Sequence, residues 1–86
     1  MGVVYDELYI STMREIEVCR QSIRKLKKNL GRMEKKYHLG TAEFVERFNE
    51  GTLEHSEDYV AWHTSCEGLK RWEERLKEFY EILKRN

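Results

Sequence analysis

The chain has 86 residues, of which 40% are hydrophobic and 37% charged, with five glycines, two cysteines and no proline. It is too apolar for a disordered segment and too short for more than one domain, and two cysteines cannot build the multi-bridge framework of a small secreted fold. Formal charge sums to zero at pH 7, so composition gives no global attraction to nucleic acid or to an anionic membrane. No apolar run approaches the roughly 18 residues a membrane span requires. The start, MGVVYDELYI, is too short and too acidic for a signal peptide. A soluble cytoplasmic protein with free thiols is expected.

Ile16, Cys19, Ile23, Leu26, Leu30, Met33 and Tyr37 recur at alternating steps of three and four. That spacing is a heptad seam, and it predicts a first helix over about residues 4–37. Thr12, Tyr9 and Tyr5 extend the seam backward, while Asp6 and Glu7 place negative charge at its positive end. Gly31 inside this helix is either a tolerated weak point or a site of close backbone approach. His38, Leu39 and Gly40 form a stop signal, in which Gly40 is expected to take the left-handed conformation that ends helices, with Thr41 capping the next one. A short second helix over about 42–50 presents Phe44, Val45 and Phe48 and ends at Gly51. Ser56 followed by Glu57 and Asp58 reads as the N-cap of a third helix, over about 57–84, whose apolar side holds Tyr59, Trp62, Cys66, Leu69, Trp72, Leu76, Phe79 and Leu83.

These elements predict a single all-α domain over residues 1–86. Its frame is an antiparallel hairpin of two long helices closed by the short one, because a connection of this length brings the chain back alongside itself. Placing Tyr37 beside Tyr59 makes residues level whose numbers sum to about 91–96. Cys19 and Cys66 then lie too far apart for a disulfide and read as small core residues. At the open end, apolar residues exceed one stripe: Leu8, Ile10, Met13, Phe79, Ile82 and Leu83 are the expected dimer interface, through which two hairpins form a four-helix bundle.

No set of residues points firmly to catalysis, and no cofactor is expected. His63, Cys66 and Glu67 share one helix face, but a structural metal site ordinarily draws ligands from two elements. Arg20 to Lys36 holds eight Lys/Arg against Glu34 alone, and Glu43 to Asp58 holds six acidic residues against Arg47 alone. The two segments are expected to neutralise one another across the fold. The alternative is that Arg24, Lys25, Lys28, Arg32 and Lys35 form an outward basic face for an acidic partner or for nucleic acid.

Lys36, Tyr37, Leu39, Thr41, Glu43, Phe44, Arg47, Phe48, Gly51, Leu53, Glu57, Asp58 and Trp62 make a pattern that resembles small all-helical prokaryotic proteins, several of them antitoxin-type partners from toxin–antitoxin loci. The resemblance covers about half of the chain. It departs from the pattern at His38, where glycine is usual, and at Thr41, where serine is. It implies a non-enzymatic protein that binds another protein. The combined expectation is a homodimeric helical interaction module, with nucleic-acid binding through the basic face as the alternative.

Overall fold

Apolar residues at every third or fourth position, uninterrupted by proline, favour helices. The computed structural model describes residues 3–85, with side chains from residue 7 onward, and contains helices α1 (Val3–Tyr37), α2 (Thr41–Glu50) and α3 (Glu57–Arg85). The expected all-α hairpin is present, with α1 packed against α3 and α2 against the turn end of α3. Tyr5 and Asp6, expected to extend the seam and open the first helix, lie outside the described side chains. The molecule measures 58 × 21 × 17 Å, and its long axis is close to the roughly 52 Å of a 35-residue helix.

The heptad seam is the packed side of α1. Thr12, Ile16, Cys19 and Met33 are buried, and Ile23, Leu26, Leu30 and Tyr37 are half-buried. Cross-helix contacts place the pairing in the expected register. The Asn29 amide donates to the Ser65 hydroxyl at 2.9 Å, Lys36 Nζ lies 2.6 Å from Asp58 Oδ2, and a Cβ on Gly68 would sit 3.6 Å from Leu26 Cδ1. Arg20 bonds to the Tyr80 hydroxyl from outside that register. Side chains lean toward the N-terminus of their own helix, so in an antiparallel pair these two lean toward each other. Cys19 and Cys66 are free and buried, as expected. A Cβ added at Gly31 meets nothing within 4 Å, so no other helix of the same chain approaches it closely.

The end of α1 differs from expectation. His38, not Gly40, takes the left-handed conformation, with φ 52°, and the Leu39 N–H donates to the Glu34 carbonyl at 3.3 Å. Gly40 has φ −71° and occupies the N-cap of α2, so Thr41 is the first helical residue instead of the cap. The capping role passes to α1: the Glu34 carboxylate accepts from the Thr41 N–H at 2.8 Å. The Thr41 hydroxyl is thereby left to accept from Trp62 Nε1 at 3.1 Å. Since a left-handed residue costs less as glycine, His38→Gly is expected to raise stability by about 0.5–1 kcal/mol in chemical denaturation. Gly51 (φ 74°) ends α2 and the Ser56 hydroxyl caps α3 through the Tyr59 N–H, both as expected.

α2 contributes more than a plug. Phe44 is fully buried and stacks on fully buried Trp62, with centroids 3.9 Å apart and planes 2° from parallel. Met33 and Cys66 complete this core, with Leu30, Tyr37, Leu39, Val45, Phe48, Leu53 and Tyr59 packed around it. This aromatic cluster at the turn end is the main core. A second buried group, Thr12, Ile16 and Cys19, lies toward the open end. Between the two, Ile23, Leu26, Leu69, Trp72 and Leu76 are only half-buried, because two helices alone cannot enclose a seam.

Candidate functional site

The register levels Arg85 with about Tyr9, so α1 runs roughly 9 Å past the described end of α3. Leu8 therefore has no described α3 residue opposite it and is 48% exposed. Tyr9, Ile10, Met13 and Val18 are also exposed, at 52%, 50%, 40% and 47%. Of the expected interface, Leu8, Ile10 and Met13 are thus exposed, whereas Phe79, Ile82 and Leu83 are half-buried. These six do not share one face. Helical geometry puts Ile10 about 160° around α1 from Leu8, and Ile82 about 160° around α3 from Tyr80.

A different set does form one face. Tyr9, Met13, Ile16, Arg20, Ile23, Lys27 and Leu30 follow one another at alternating steps of four and three, a second stripe beside the seam. On α3, Leu69, Glu73, Leu76, Tyr80 and Lys84 make the matching stripe. Between the two lies a groove. One stretch, of about 500 Å³, is lined by Ile23, Lys27, Leu76 and Tyr80. The other, of about 340 Å³, is lined by Leu30, Leu69 and, from α2, Ala42 and Val45. Glu73 borders both stretches, so they open on the same side of the hairpin. Sequence reading missed this groove, although the stripe was present at every third or fourth residue. Arg20 and Lys27 interrupt its apolar character.

Charge is not neutralised as expected. Arg24, Lys25, Lys28, Arg32 and Lys35 are all exposed on the back of α1, and none of them forms an ion pair among the described residues. Gln21, Arg24, Lys25 and Lys28 border a shallow depression there of about 300 Å³. The acidic segment reaches α1 through one ion pair, Lys36 to Asp58, while Glu43 pairs within α2 to Arg47 at 3.2 Å.

The Asp58 carboxylate also accepts from the Tyr37 hydroxyl. Hydrogen bonds from Lys36 and Tyr37 hold the Asp58 carboxyl below its usual value, and the bond to Asp58 raises the pKa of both Lys36 and Tyr37. The stabilisation linked to Asp58 is present above its ordinary value and is lost as pH falls through its depressed one. That linked to Lys36 and Tyr37 is present below their ordinary values and is lost as pH rises through their raised ones. The clamp thus holds the two helices together through the neutral range. Asp58→Asn is expected to bring the Tyr37 phenol back down toward 10, read from its ultraviolet titration above pH 9 against the parent chain.

His63 stacks on Phe48 with centroids 4.2 Å apart, and its Nε2 is 3.9 Å from Glu67. No group of three His, Cys, Asp or Glu side chains among the described residues is placed to hold a metal ion. Burial pushes the thiols of Cys19 and Cys66 up, away from the thiolate form that a nucleophile uses. No described helix is long and apolar enough to cross a membrane. Comparison with protein-family models, curated proteins and solved structures finds no match.

Proposed function

We propose that this protein is a non-enzymatic, homodimeric helical interaction module that holds another protein, as an antitoxin-like or regulatory subunit does. The observation that carries the reading is the exposed apolar open end, where Tyr9 and Met13 face solvent on one side of α1 and Leu8 and Ile10 are exposed to either side of them. Surface area supports it. The chain exposes 6723 Å², about 1,300 Å² more than the roughly 5,400 Å² of a compact monomer of 10.5 kDa. A standard interface covers about 800 Å² on each partner, so the excess is large enough to supply one. Raised thiol pKa values at both cysteines argue against nucleophilic catalysis, and two free cysteines suit the reducing cytoplasm, where we place the protein. Charges on the exposed apolar patch test the reading: Tyr9→Glu with Met13→Glu should leave helicity intact and weaken self-association. An unchanged association constant would count against it.

The unpaired basic back of α1 supports a second reading, an anion-binding face for nucleic acid. If Arg24, Lys25, Lys28, Arg32 and Lys35 contact phosphates, log affinity for duplex DNA should fall against log salt with a slope of about −4 to −5. Absence of any fluorescence-anisotropy change at low salt removes that reading and leaves the face for acidic protein segments.

A further inference from the structure

The groove beside the hairpin has one closed end and one open end. α2 walls the turn end with Ala42 and Val45, while at the other end the stripe on α1 continues beyond the groove to the exposed Met13 and Tyr9. We propose that the occupant of this groove is a second copy of the chain turned end for end, so that the exposed Tyr9 and Met13 of each copy reach the α2 wall of the other. This rests on the homodimer reading and adds to it the face, the orientation and the contacts.

Three observations carry the assignment. The first is length: from Tyr9 to the level of Leu30, where the α2 wall stands, α1 rises about 31 Å. Two antiparallel copies overlapping over that distance bring each exposed Tyr9 and Met13 to the half-buried Leu69 and Val45 of the other copy. A parallel arrangement would set Tyr9 and Met13 against their own counterparts, the two α2 helices against each other and each rim charge against its like. The second is continuity, because the stripe through Tyr9, Met13, Ile23 and Leu30 is unbroken in spacing along the exposed and grooved parts of α1. The third is charge. On α3 the rim alternates Lys70, Glu73, Lys77, Glu81 and Lys84, so a reversed copy meets both signs instead of a like-charged wall. Ile10 and Val18 lie outside this face and stay exposed in such a dimer.

Cross-linking between single-cysteine variants tests the arrangement. Tyr9→Cys and Val45→Cys proteins are prepared separately, mixed, allowed to exchange and treated with a short bis-maleimide. Within one chain these positions stand about 31 Å apart, and in a mixture of the two variants every Tyr9–Val45 adduct joins two chains. The native thiols are buried, and the parent chain and each variant alone, treated with the same reagent, give the background. Val18→Cys mixed with Val45→Cys is the control pair. The expected result is a Tyr9–Val45 adduct on the order of 10-fold or more above the control, since a bound pair experiences millimolar effective concentration. A dimer that yields only Tyr9–Tyr9 or Val18–Val45 adducts overturns the groove and its orientation while the homodimer stands. A chain that sediments as a monomer at micromolar concentration overturns both.

Discussion

Trp62→Ala is expected to destabilise the chain by about 3–5 kcal/mol, the usual loss for a fully buried large aromatic. Trp62 has 0% exposure, stacks on Phe44 at 3.9 Å and donates its indole N–H to Thr41. Its removal opens a cavity between α2 and α3 and leaves the Thr41 hydroxyl without the indole donor. Since an 86-residue domain has on the order of 4–13 kcal/mol in total, the variant should melt at least about 15 °C lower, and α2 should exchange its amide hydrogens first. Phe44 then lacks its stacking partner, and α2, a helix of 10 residues, is too short to hold its shape unaided. A loss below about 1 kcal/mol would show that the α2 core does not support the fold as described.

Ile16→Ala tests the other core and is expected to cost about 2–5 kcal/mol. Ile16 is 1% exposed beside fully buried Cys19 and buried Thr12. This burial is complete within one chain, so the loss should persist under dilution, in contrast to the effect of charges at Tyr9 and Met13. Trp62 lies level with about residue 32, roughly 24 Å along the axis from Ile16, and the half-buried middle of the hairpin separates them. The two substitutions should therefore add within about 0.5 kcal/mol when combined, measured by urea denaturation at one fixed protein concentration.

Much of this fold could be read from residue spacing. The seam from Ile16 to Tyr37 faces α3, the register holds from Lys36–Asp58 to Asn29–Ser65, and Ser56 and Gly51 sit at the helix ends their chemistry suits. All of these depend on local periodicity or on short-range capping. The turn after α1 was harder, because its cap comes from the Glu34 carboxylate on another helix and its left-handed residue is His38, not the adjacent glycine. Spacing alone does not choose between neighbouring residues when the deciding bond is tertiary. The candidate surface was legible in part. Met13 belongs to the groove-side stripe, but Leu8 is exposed outside it, about 100° around α1 from Tyr9. Ile82 points away from the groove side, and a count of apolar residues at the open end does not distinguish these cases. The basic face needed the structure as well. Only the placement of Asp58 beside Lys36, and of Glu43 on Arg47, leaves Arg24, Lys25, Lys28, Arg32 and Lys35 without ion pairs among the described residues.

If one hairpin is half of an assembly, sedimentation equilibrium on the unmodified chain across the micromolar range should give a mass twice 10.5 kDa. That mass should fall toward 10.5 kDa in the Tyr9→Glu, Met13→Glu variant without loss of helicity. A single species of 10.5 kDa at every concentration, stable and fully helical, would contradict it.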